Sequence, residues 1–284
     1  MGAVIAVINN KGGVGKSTTV CSLASLLEMA GRKVLVIDAD PQGNTSQVFR
    51  VYNTNMEGEV YDLFFGDAPV QDLVRMSSNS NVNVISAGSK HWKTLENLSK
   101  LADDDNRVSV STILRNRLKS IRNEYDFIII DNSPTRGLLA DNVLAASDYV
   151  LTPVQVEGFS YEGLKVVLSD IARIKETINP DLTFLGALFV MASPRTNLFK
   201  SVYQQFIDRL GEDAIKQPIR NDKTVREANT SFMPLYRYTA RCKAGTDYIR
   251  VAREVGFINA MEEEKLLGWY GAKNDTFDMR REEE

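Results

Sequence analysis

Hydrophobic and polar positions along this chain switch repeatedly between two periods. Short, continuous apolar runs are typical of strands buried on both faces of a sheet. Such runs predict strands at residues 3–8, 33–37, 82–86, 126–130, 148–152 and 183–191. Between them, apolar residues recur at every third or fourth position, which predicts helices. These helices are expected near residues 17–30, 107–123, 137–146, 158–178, 196–210 and 243–256. The alternation predicts an α/β fold, with a mostly parallel, twisted sheet flanked by helices on both faces.

The chain is expected to form a single domain. It contains no linker rich in Pro, Gly or Ser and no internal repeat, so residues 3–256 are assigned to one domain. Residues 51–107 are its least regular part and are expected to hold short helices and loops. Residues 257–284 are predicted to be an acidic C-terminal tail, partly helical or mobile. Residues 262–284 carry eight acidic and four basic side chains.

A glycine-rich loop follows the first predicted strand. It begins at Asn10 and leads directly into the first predicted helix. Glycines let the backbone N–H groups turn inward around phosphate oxygens, and the helix N-terminus adds a positive dipole. Lys16 adds a full charge, and Ser17 offers a hydroxyl to a magnesium ion. The loop therefore predicts the nucleotide site of a P-loop NTPase, with Lys11 where the simple pattern has its first glycine.

Carboxylates follow two other predicted strands. Asp38 and Asp40 come at the end of the strand at 33–37, and Asp131 follows the strand at 126–130. In a parallel sheet these ends share the edge at which ligands bind. A carboxylate there can hold magnesium directly or through water. Asp40 is expected to orient the water that attacks a γ-phosphate.

Composition limits the other classes of protein to which the chain could belong. No apolar run approaches the roughly 20 residues that span a bilayer. No signal peptide precedes the first strand, so a cytoplasmic location is expected. Cys21 and Cys242 lack metal-ligand spacing and are expected to be reduced thiols. Residues 195–253 carry twelve Lys and Arg against six Asp and Glu, within a chain of net charge −3. This local excess indicates either a patch for a polyanion or scattered surface charge.

Several motifs together resemble the ParA/MinD family of ATPases. Residues Lys11 to Thr18 match its deviant phosphate loop, whose hallmark is the early lysine. Residues Asp38 to Asn44 are similar to the second motif of ParA/Soj partition ATPases, in which Asp-Pro-Gln-Gly-Asn is typical. Looser similarities follow at residues 152–157, 161–164, 195–198 and 225–228. The resemblance covers about residues 3–256.

The resemblance implies a slow, partner-stimulated ATPase with ATP and Mg²⁺ as cofactors. Lys11 would reach across an ATP-sandwich homodimer to the phosphates of the partner subunit. Lys16 would hold the β- and γ-phosphates, and Asp40 would be needed for hydrolysis but not for dimerisation. The implied magnesium site comprises Ser17, Asp38 and Asp131. The implied nucleotide-binding residues are Lys11, Gly12, Gly13, Val14, Gly15, Lys16, Ser17, Thr18, Pro218 and Asn221, the last two near the adenine.

The resemblance also implies a function in plasmid or chromosome segregation. The ATP-bound dimer would bind duplex DNA without sequence preference and would therefore be nucleoid-associated. A centromere-binding, ParB-like adaptor would stimulate hydrolysis and release it. Arg195 matches one DNA-contacting position of the family. A second position falls on Thr224, and the flanking Lys223 and Arg226 are the candidates to replace it. Arg136 departs from the family pattern and either faces a partner or DNA, or is a solvated residue at a helix start.

Other functions share parts of this pattern. A MinD-like membrane-positioning ATPase needs a basic amphipathic C-terminal helix. The acidic tail would be repelled by an anionic membrane, so no membrane contact is expected. A reductase with an iron–sulfur cluster between subunits would need cysteines in a matching motif, which Cys21 and Cys242 lack. A cargo-positioning ParA-like ATPase would share every motif and stays open. Because the chain starts at its first strand, no N-terminal helix-turn-helix domain is expected.

Overall fold

A computed structural model describes residues 1–51, 59–104, 107–156 and 161–270 of the protein. Within these ranges the strands form one sheet in the order β3-β4-β2-β5-β1-β6-β7-β8. The strands are β1 (Ala3–Val7), β2 (Val34–Ala39), β3 (Arg75–Met76), β4 (Asn83–Ile85), β5 (Phe127–Asn132), β6 (Tyr149–Val154), β7 (Thr183–Phe189) and β8 (Ala214–Ile215). Strand β3 pairs antiparallel with β4, and the other neighbouring strands are parallel.

Helices follow most of these strands. They are α1 (Lys16–Met29), α2 (Asn44–Val48), α3 (Val60–Phe65), α4 (Val70–Leu73), α5 (His91–Asp104), α6 (Arg107–Val110), α7 (Ile113–Leu118), α8 (Leu138–Ala146), α9 (Tyr161–Thr177), α10 (Asn197–Leu210), α11 (Lys223–Thr230), α12 (Leu235–Tyr238), α13 (Lys243–Glu254) and α14 (Ala260–Trp269). Short 3₁₀ turns lie at Arg122–Glu124 and Gly211–Asp213. No helix within the described ranges combines the length and the apolar character that a membrane span needs.

The sheet is covered on both faces because successive side chains of a strand point to opposite sides. Ile5 and Val7 of β1 pack in a core that includes α1, α13 and α14. Val4 and Ala6 pack in a second core that includes α7, α8 and α9. The predicted fold class is confirmed: a mostly parallel sheet lies between two helical layers.

The predicted helix at 107–123 is wrong, because the chain forms two short helices and a 3₁₀ turn there. The break falls between α6 and α7, where the Thr112 hydroxyl donates to the Ser109 carbonyl. The Asn142 side chain occupies the gap: its amide donates to the Val110 carbonyl and its oxygen accepts from the Leu114 N–H. Side-chain groups therefore satisfy backbone atoms that a continuous helix would have paired.

Helices α2, α11 and α12 are additional to the predicted ones, and α14 lies in the tail that is predicted to be partly helical. Helix α11 begins after Asp222, whose side chain accepts from the Thr224 N–H. Helix α14 begins with a capping box between Asn259 and Glu262. The start predicted at 158 for α9 lies outside the described residues, as do residues 271–284 of the tail. The tail residues that pack into the main core are Phe257, Ile258, Leu266, Leu267 and Tyr270.

Candidate nucleotide site

The glycine-rich loop lies at the carboxyl end of β1 and opens α1. Gly13 and Gly15 have φ values of 74° and 79°, in the left-handed region that favours glycine. The Lys16 side chain folds back over the loop, and its Nζ donates to the Lys11 carbonyl at 3.1 Å. Burial lowers the pKa of Lys16, and the carboxylates of Asp131 and Asp40 oppose that shift. The loop is thus preformed around a buried cation.

Side chains from β1 and from the end of β6 hold this loop in place. Asn9 accepts from the Lys11 N–H at 2.9 Å, and its amide donates to the Pro153 carbonyl at 2.7 Å. Gln155 donates to the Gly13 carbonyl at 2.7 Å. The contacts of Asn9 with Pro153 and of Gln155 with Gly13 join residues more than 140 positions apart, so sequence analysis did not identify Asn9 or Gln155 as loop-positioning residues.

Asp38 and Asp131 lie side by side at the carboxyl edge of the sheet. They are register partners at the ends of β2 and β5, and both are fully buried. Burial raises the pKa of Asp38, and the Asp131 carboxylate raises it further. Burial also raises the pKa of Asp131, whereas hydrogen bonding by Ser17 and Thr45 lowers it. Two buried carboxyl groups this close favour binding of a proton or a cation between them.

Helix α2 supplies the hydroxyl groups that hold the two carboxyls. Asp38 accepts from the Ser46 N–H at 2.7 Å and from the Ser46 hydroxyl at 2.6 Å. The Thr45 hydroxyl donates to Asp131 Oδ2 at 2.7 Å. Sequence analysis missed both residues, although they directly follow the Asp-Pro-Gln-Gly-Asn motif that could have identified them.

The second oxygen of Asp131 fits a magnesium site. Oδ1 is buried and has no hydrogen-bond partner among the described residues. A buried carboxylate oxygen left unpaired is costly unless a cation or water occupies the adjacent space. Magnesium typically takes one or two protein carboxylates and keeps several waters, so Asp131 with the nearby Ser17 hydroxyl is an adequate set. Within the described ranges, no cluster of three or more His, Cys, Asp or Glu forms a metal site of another type.

A cavity of about 380 Å³ extends from the loop across this edge. The residues that line it include Lys16, Ser17, Asp40, Met191 and Phe232. Asp40 is almost fully buried, and one of its oxygens accepts from a backbone N–H at 3.0 Å, that of Gln42. The cavity therefore lies next to the phosphate loop, the Asp40 carboxylate and the apolar side chains of Met191 and Phe232.

The residues predicted near the adenine are not among those that line this cavity. Pro218 is buried and Asn221 is exposed, and neither lines the cavity. The Asn221 N–H donates to the Ala192 carbonyl at 2.7 Å, which places Asn221 next to Met191 in the adjacent loop. Apolar residues that line the nucleotide cavity include Val48, Met191 and Phe232.

Comparisons with known proteins agree with this site. A family model described as "AAA domain" matches residues 2–184. The sporulation initiation inhibitor protein Soj of Bacillus subtilis is 34% identical over 255 residues, covering 90% of this chain and 98% of Soj. The chromosome partitioning protein ParA of Myxococcus xanthus is 32% identical over 256 residues, covering 90% of this chain and 88% of ParA. The chain belongs to the ParA/Soj family of partition ATPases.

A solved structure supports the nucleotide site of this ParA/Soj-family protein. Cobyrinic acid a,c-diamide synthase from Mycobacterium smegmatis, with bound ADP and magnesium, is similar with a TM-score of 0.72 and 28% identity. The similarity covers 82% of this chain and 91% of that one. ATPase activity and a nucleotide–magnesium site are therefore what the family and the geometry together support.

The predicted DNA-contacting residues of this ParA/Soj-family chain lie on the loop before α10 and on α11. Lys223 and Arg226 are exposed on α11, and Lys223 lies 3.7 Å from Glu227. Arg195 is exposed just before α10. The bridge between Ala192 and Arg220 places the loop that carries Arg195 beside the loop that leads into α11.

Helix α11 is bonded directly to the phosphate loop. The Asn229 amide on α11 donates to the Thr18 hydroxyl at 3.0 Å. The two residues are 211 positions apart, so no sequence pattern could have identified Asn229. The predicted nucleotide site and the predicted DNA-contacting helix are therefore in contact.

Arg136 lies away from the 380 Å³ cavity. Its guanidinium forms a two-pronged ion pair with Asp170 of α9, at 2.9 and 2.5 Å. This pair lies at a larger cavity of about 590 Å³ between α8 and α9, which also includes Asn10. Arg136 is thus an exposed but ion-paired residue.

Proposed function

We propose that this protein is a DNA-partition ATPase that dimerises on ATP and binds duplex DNA without sequence preference. A ParB-like adaptor would then stimulate hydrolysis and release the dimer from DNA. The family membership supports the partition role, and the bond between Asn229 and Thr18 carries the geometric argument. Because α11 is attached to the phosphate loop, a nucleotide-dependent movement of the loop can reposition Lys223 and Arg226.

The site residues have distinct roles in this proposal. The backbone of the loop and Lys16 would bind the phosphates, while the exposed Lys11 would reach the nucleotide of the partner subunit. Asp131 and Ser17 would hold magnesium, which would supply neutralisation of phosphate charge. Asp38 would act mainly by holding α2 through Ser46. The remaining roles are those of Asp40 as the water-orienting residue and of Pro218 and Asn221 as outer contacts to the adenine.

Non-specific DNA binding requires only positive charge that can reach phosphates. Arg195, Lys223 and Arg226 are exposed on neighbouring segments, which supports a shared contact surface. Such binding is strongly salt-dependent because each neutralised phosphate releases counterions.

The packing of residues 257–270 argues against the MinD-like alternative. The apolar side chains of Phe257, Leu266 and Tyr270 are buried against the domain. Among the large apolar residues of this segment, Met261 and Trp269 are exposed, at 78% and 59%. Two side chains at this spacing offer little apolar area to a membrane, and the flanking acidic residues oppose contact with anionic lipid.

The decisive experiment measures binding of the purified protein to unrelated DNA duplexes with no nucleotide, ADP or ATP, and repeats it with anionic liposomes. ATP-dependent, salt-sensitive DNA binding is expected, without liposome binding. Liposome binding without DNA binding would indicate a MinD-like membrane-positioning ATPase. Loss of a plasmid or chromosome in cells that lack the gene then separates partition from positioning of another cargo.

A further inference from the structure

Arg50 occupies an unusual backbone position at the end of α2. The Val51 N–H donates back to the Ser46 carbonyl at 3.0 Å, which closes the end of the helix. Arg50 lies inside this closing turn with a φ of 53°. Glycine or asparagine normally occupies such a left-handed position. An arginine there places a long, exposed cationic side chain at a site that local backbone preference alone would not favour.

The guanidinium of Arg50 reaches the end of α11. Its Nε donates to the Phe232 carbonyl at 3.3 Å. The Asn79 amide donates to the same carbonyl at 3.2 Å and to the Val48 carbonyl at 2.9 Å. Phe232 is itself in the left-handed region, with a φ of 48°. The Phe232 carbonyl, just after α11, therefore accepts hydrogen bonds from the end of α2 and from the loop around Asn79.

Arg50 and Arg226 together form an uncompensated positive surface. Both are exposed, and neither forms an ion pair with any residue in the described ranges. Arg226 lies on α11, and Phe232, whose carbonyl accepts from Arg50, follows the end of that helix at Thr230. Each DNA strand presents a phosphate about every 3.4 Å of duplex axis, so guanidinium groups on one surface can contact successive phosphates of the same strand. Guanidinium groups also match phosphate oxygens in geometry.

Both parts of this surface are attached to the nucleotide site at separate points. Helix α2, which carries Arg50 at its end, contacts Asp131 and Asp38 through Thr45 and Ser46. Helix α11 contacts the phosphate loop through Asn229. A change at the loop or at the paired carboxyls would therefore alter the spacing between the two arginines.

We infer that Arg50 is a phosphate-contacting residue of the DNA surface, and that α2 and α11 bring it into register with Arg226 in response to the bound nucleotide. The inference rests on the proposed function and adds to it a DNA contact by Arg50, which follows the helix that holds Asp38 and Asp131. The ligand of Arg50 would be the sugar–phosphate backbone of duplex DNA, contacted without any contact to the bases.

The test compares three variants in the full-length protein with ATP and a duplex of unrelated sequence. Arg50→Gln removes the charge, whereas Arg50→Lys retains it and changes the hydrogen-bond geometry. Lys33→Gln removes one charge from an exposed residue at the start of β2, on the opposite edge of the sheet. DNA affinity is measured as a function of salt concentration, and the thermal unfolding midpoint of each variant checks its folding.

Arg50→Gln is expected to lower affinity at least about threefold and to reduce the salt slope by about one per protomer. Arg50→Lys and Lys33→Gln are expected to keep the wild-type slope. An unchanged slope in Arg50→Gln overturns the inference while leaving the proposed function intact. Equal losses in Arg50→Gln and Arg50→Lys also overturn it, because they would assign the effect to the bond with Phe232. A wild-type protein that binds no DNA with ATP defeats the proposed function itself.

Discussion

Asp38 and Asp131 are register partners on adjacent parallel strands, and neither carboxyl is accessible to solvent. Each is held by a hydroxyl from the same short helix, through Ser46 and Thr45 respectively. These hydroxyls fix the two carboxyls at the carboxyl edge of the sheet, and the buried Asp131 Oδ1 fits a magnesium ion. Their burial and hydrogen bonds lead to predictions for the pH dependence of stability and for magnesium affinity.

Lys16→Ala is expected to abolish ATP-dependent dimerisation. Lys16 is the buried cation of the loop, and the loss of a charge-assisted bond to phosphate lowers affinity by about 10- to 100-fold. Light scattering with and without ATP measures the mass of the protein in solution. Lys33→Ala, which removes an exposed lysine far from the loop, is the control. A Lys16→Ala protein that still dimerises with ATP would contradict the role of this residue.

Asp40→Ala is expected to retain the ATP-bound dimer and to lose turnover. The carboxylate would orient the attacking water, a contribution worth about 10²- to 10⁴-fold in rate. Phosphate release measures turnover, and light scattering on the same sample measures dimerisation. A monomeric Asp40→Ala protein with ATP would contradict the prediction that Asp40 is needed for hydrolysis but not for dimerisation.

The stability of the metal-free protein is expected to fall as pH rises above the ordinary carboxyl range. The pKa values of Asp38 and Asp131 are raised by burial, so the folded state keeps protons that the unfolded state releases above about pH 4. The favourable contribution is therefore complete below that pH and is lost as pH rises through the raised folded-state pKa values. Urea unfolding in a metal chelator, between about pH 6 and pH 8, measures the effect.

Asp38→Asn supplies the comparison for this pH dependence, since all other titratable groups are common to both proteins. Its free energy of unfolding should depend less steeply on pH than that of the wild type. Added magnesium should stabilise the wild type more at pH 8 than at pH 6, because it binds the ionised carboxyls. Identical pH slopes in the two proteins would show that Asp38 is ionised in the folded, metal-free state.

Thr45→Val is expected to lower the free energy of unfolding by about 1–3 kcal/mol, because it removes the 2.7 Å hydrogen bond that the Thr45 hydroxyl donates to the buried Asp131 Oδ2. Magnesium affinity should fall as well, since Asp131 loses its orientation. Thr45→Ser keeps the hydroxyl and is expected to retain the affinity. Magnesium titration of ATP hydrolysis and urea unfolding measure the two effects. Equal magnesium affinity in Thr45→Val and Thr45→Ser would exclude a positioning role for the hydroxyl.

Asp247→Ala is expected to destabilise the protein by about 3–5 kcal/mol, because it removes the buried carboxylate that pairs with the buried Arg220 guanidinium. The two side chains lie 2.7 Å apart and are 5% and 0% exposed. Urea unfolding measures the loss. Replacing both residues, as Arg220→Met with Asp247→Leu, should recover most of it. A single variant as stable as the wild type would mean that solvent reaches the remaining arginine.

Among the residues that the structure describes, local sequence determined six of the eight strands, most of the longer helices and the phosphate loop. Continuous apolar runs such as that ending at Ile130 can be satisfied only between two helical layers. The glycines of the loop permit left-handed backbone, and Lys16 follows directly in the chain. These properties depend on neighbours within about one turn of helix or strand, so a linear pattern contains them.

Tertiary structure decided the contacts that join distant segments. Asn229 meets Thr18 across 211 positions, and Arg50 meets Phe232 across 182. The break between α6 and α7 likewise depends on Asn142, which lies on another helix. Such pairings arise only when the sheet order brings loops to a common edge, and their short polar side chains carry no periodic signal. The sequence by itself therefore determined the nucleotide-binding loop, and the tertiary structure decided how that loop is connected to the basic surface.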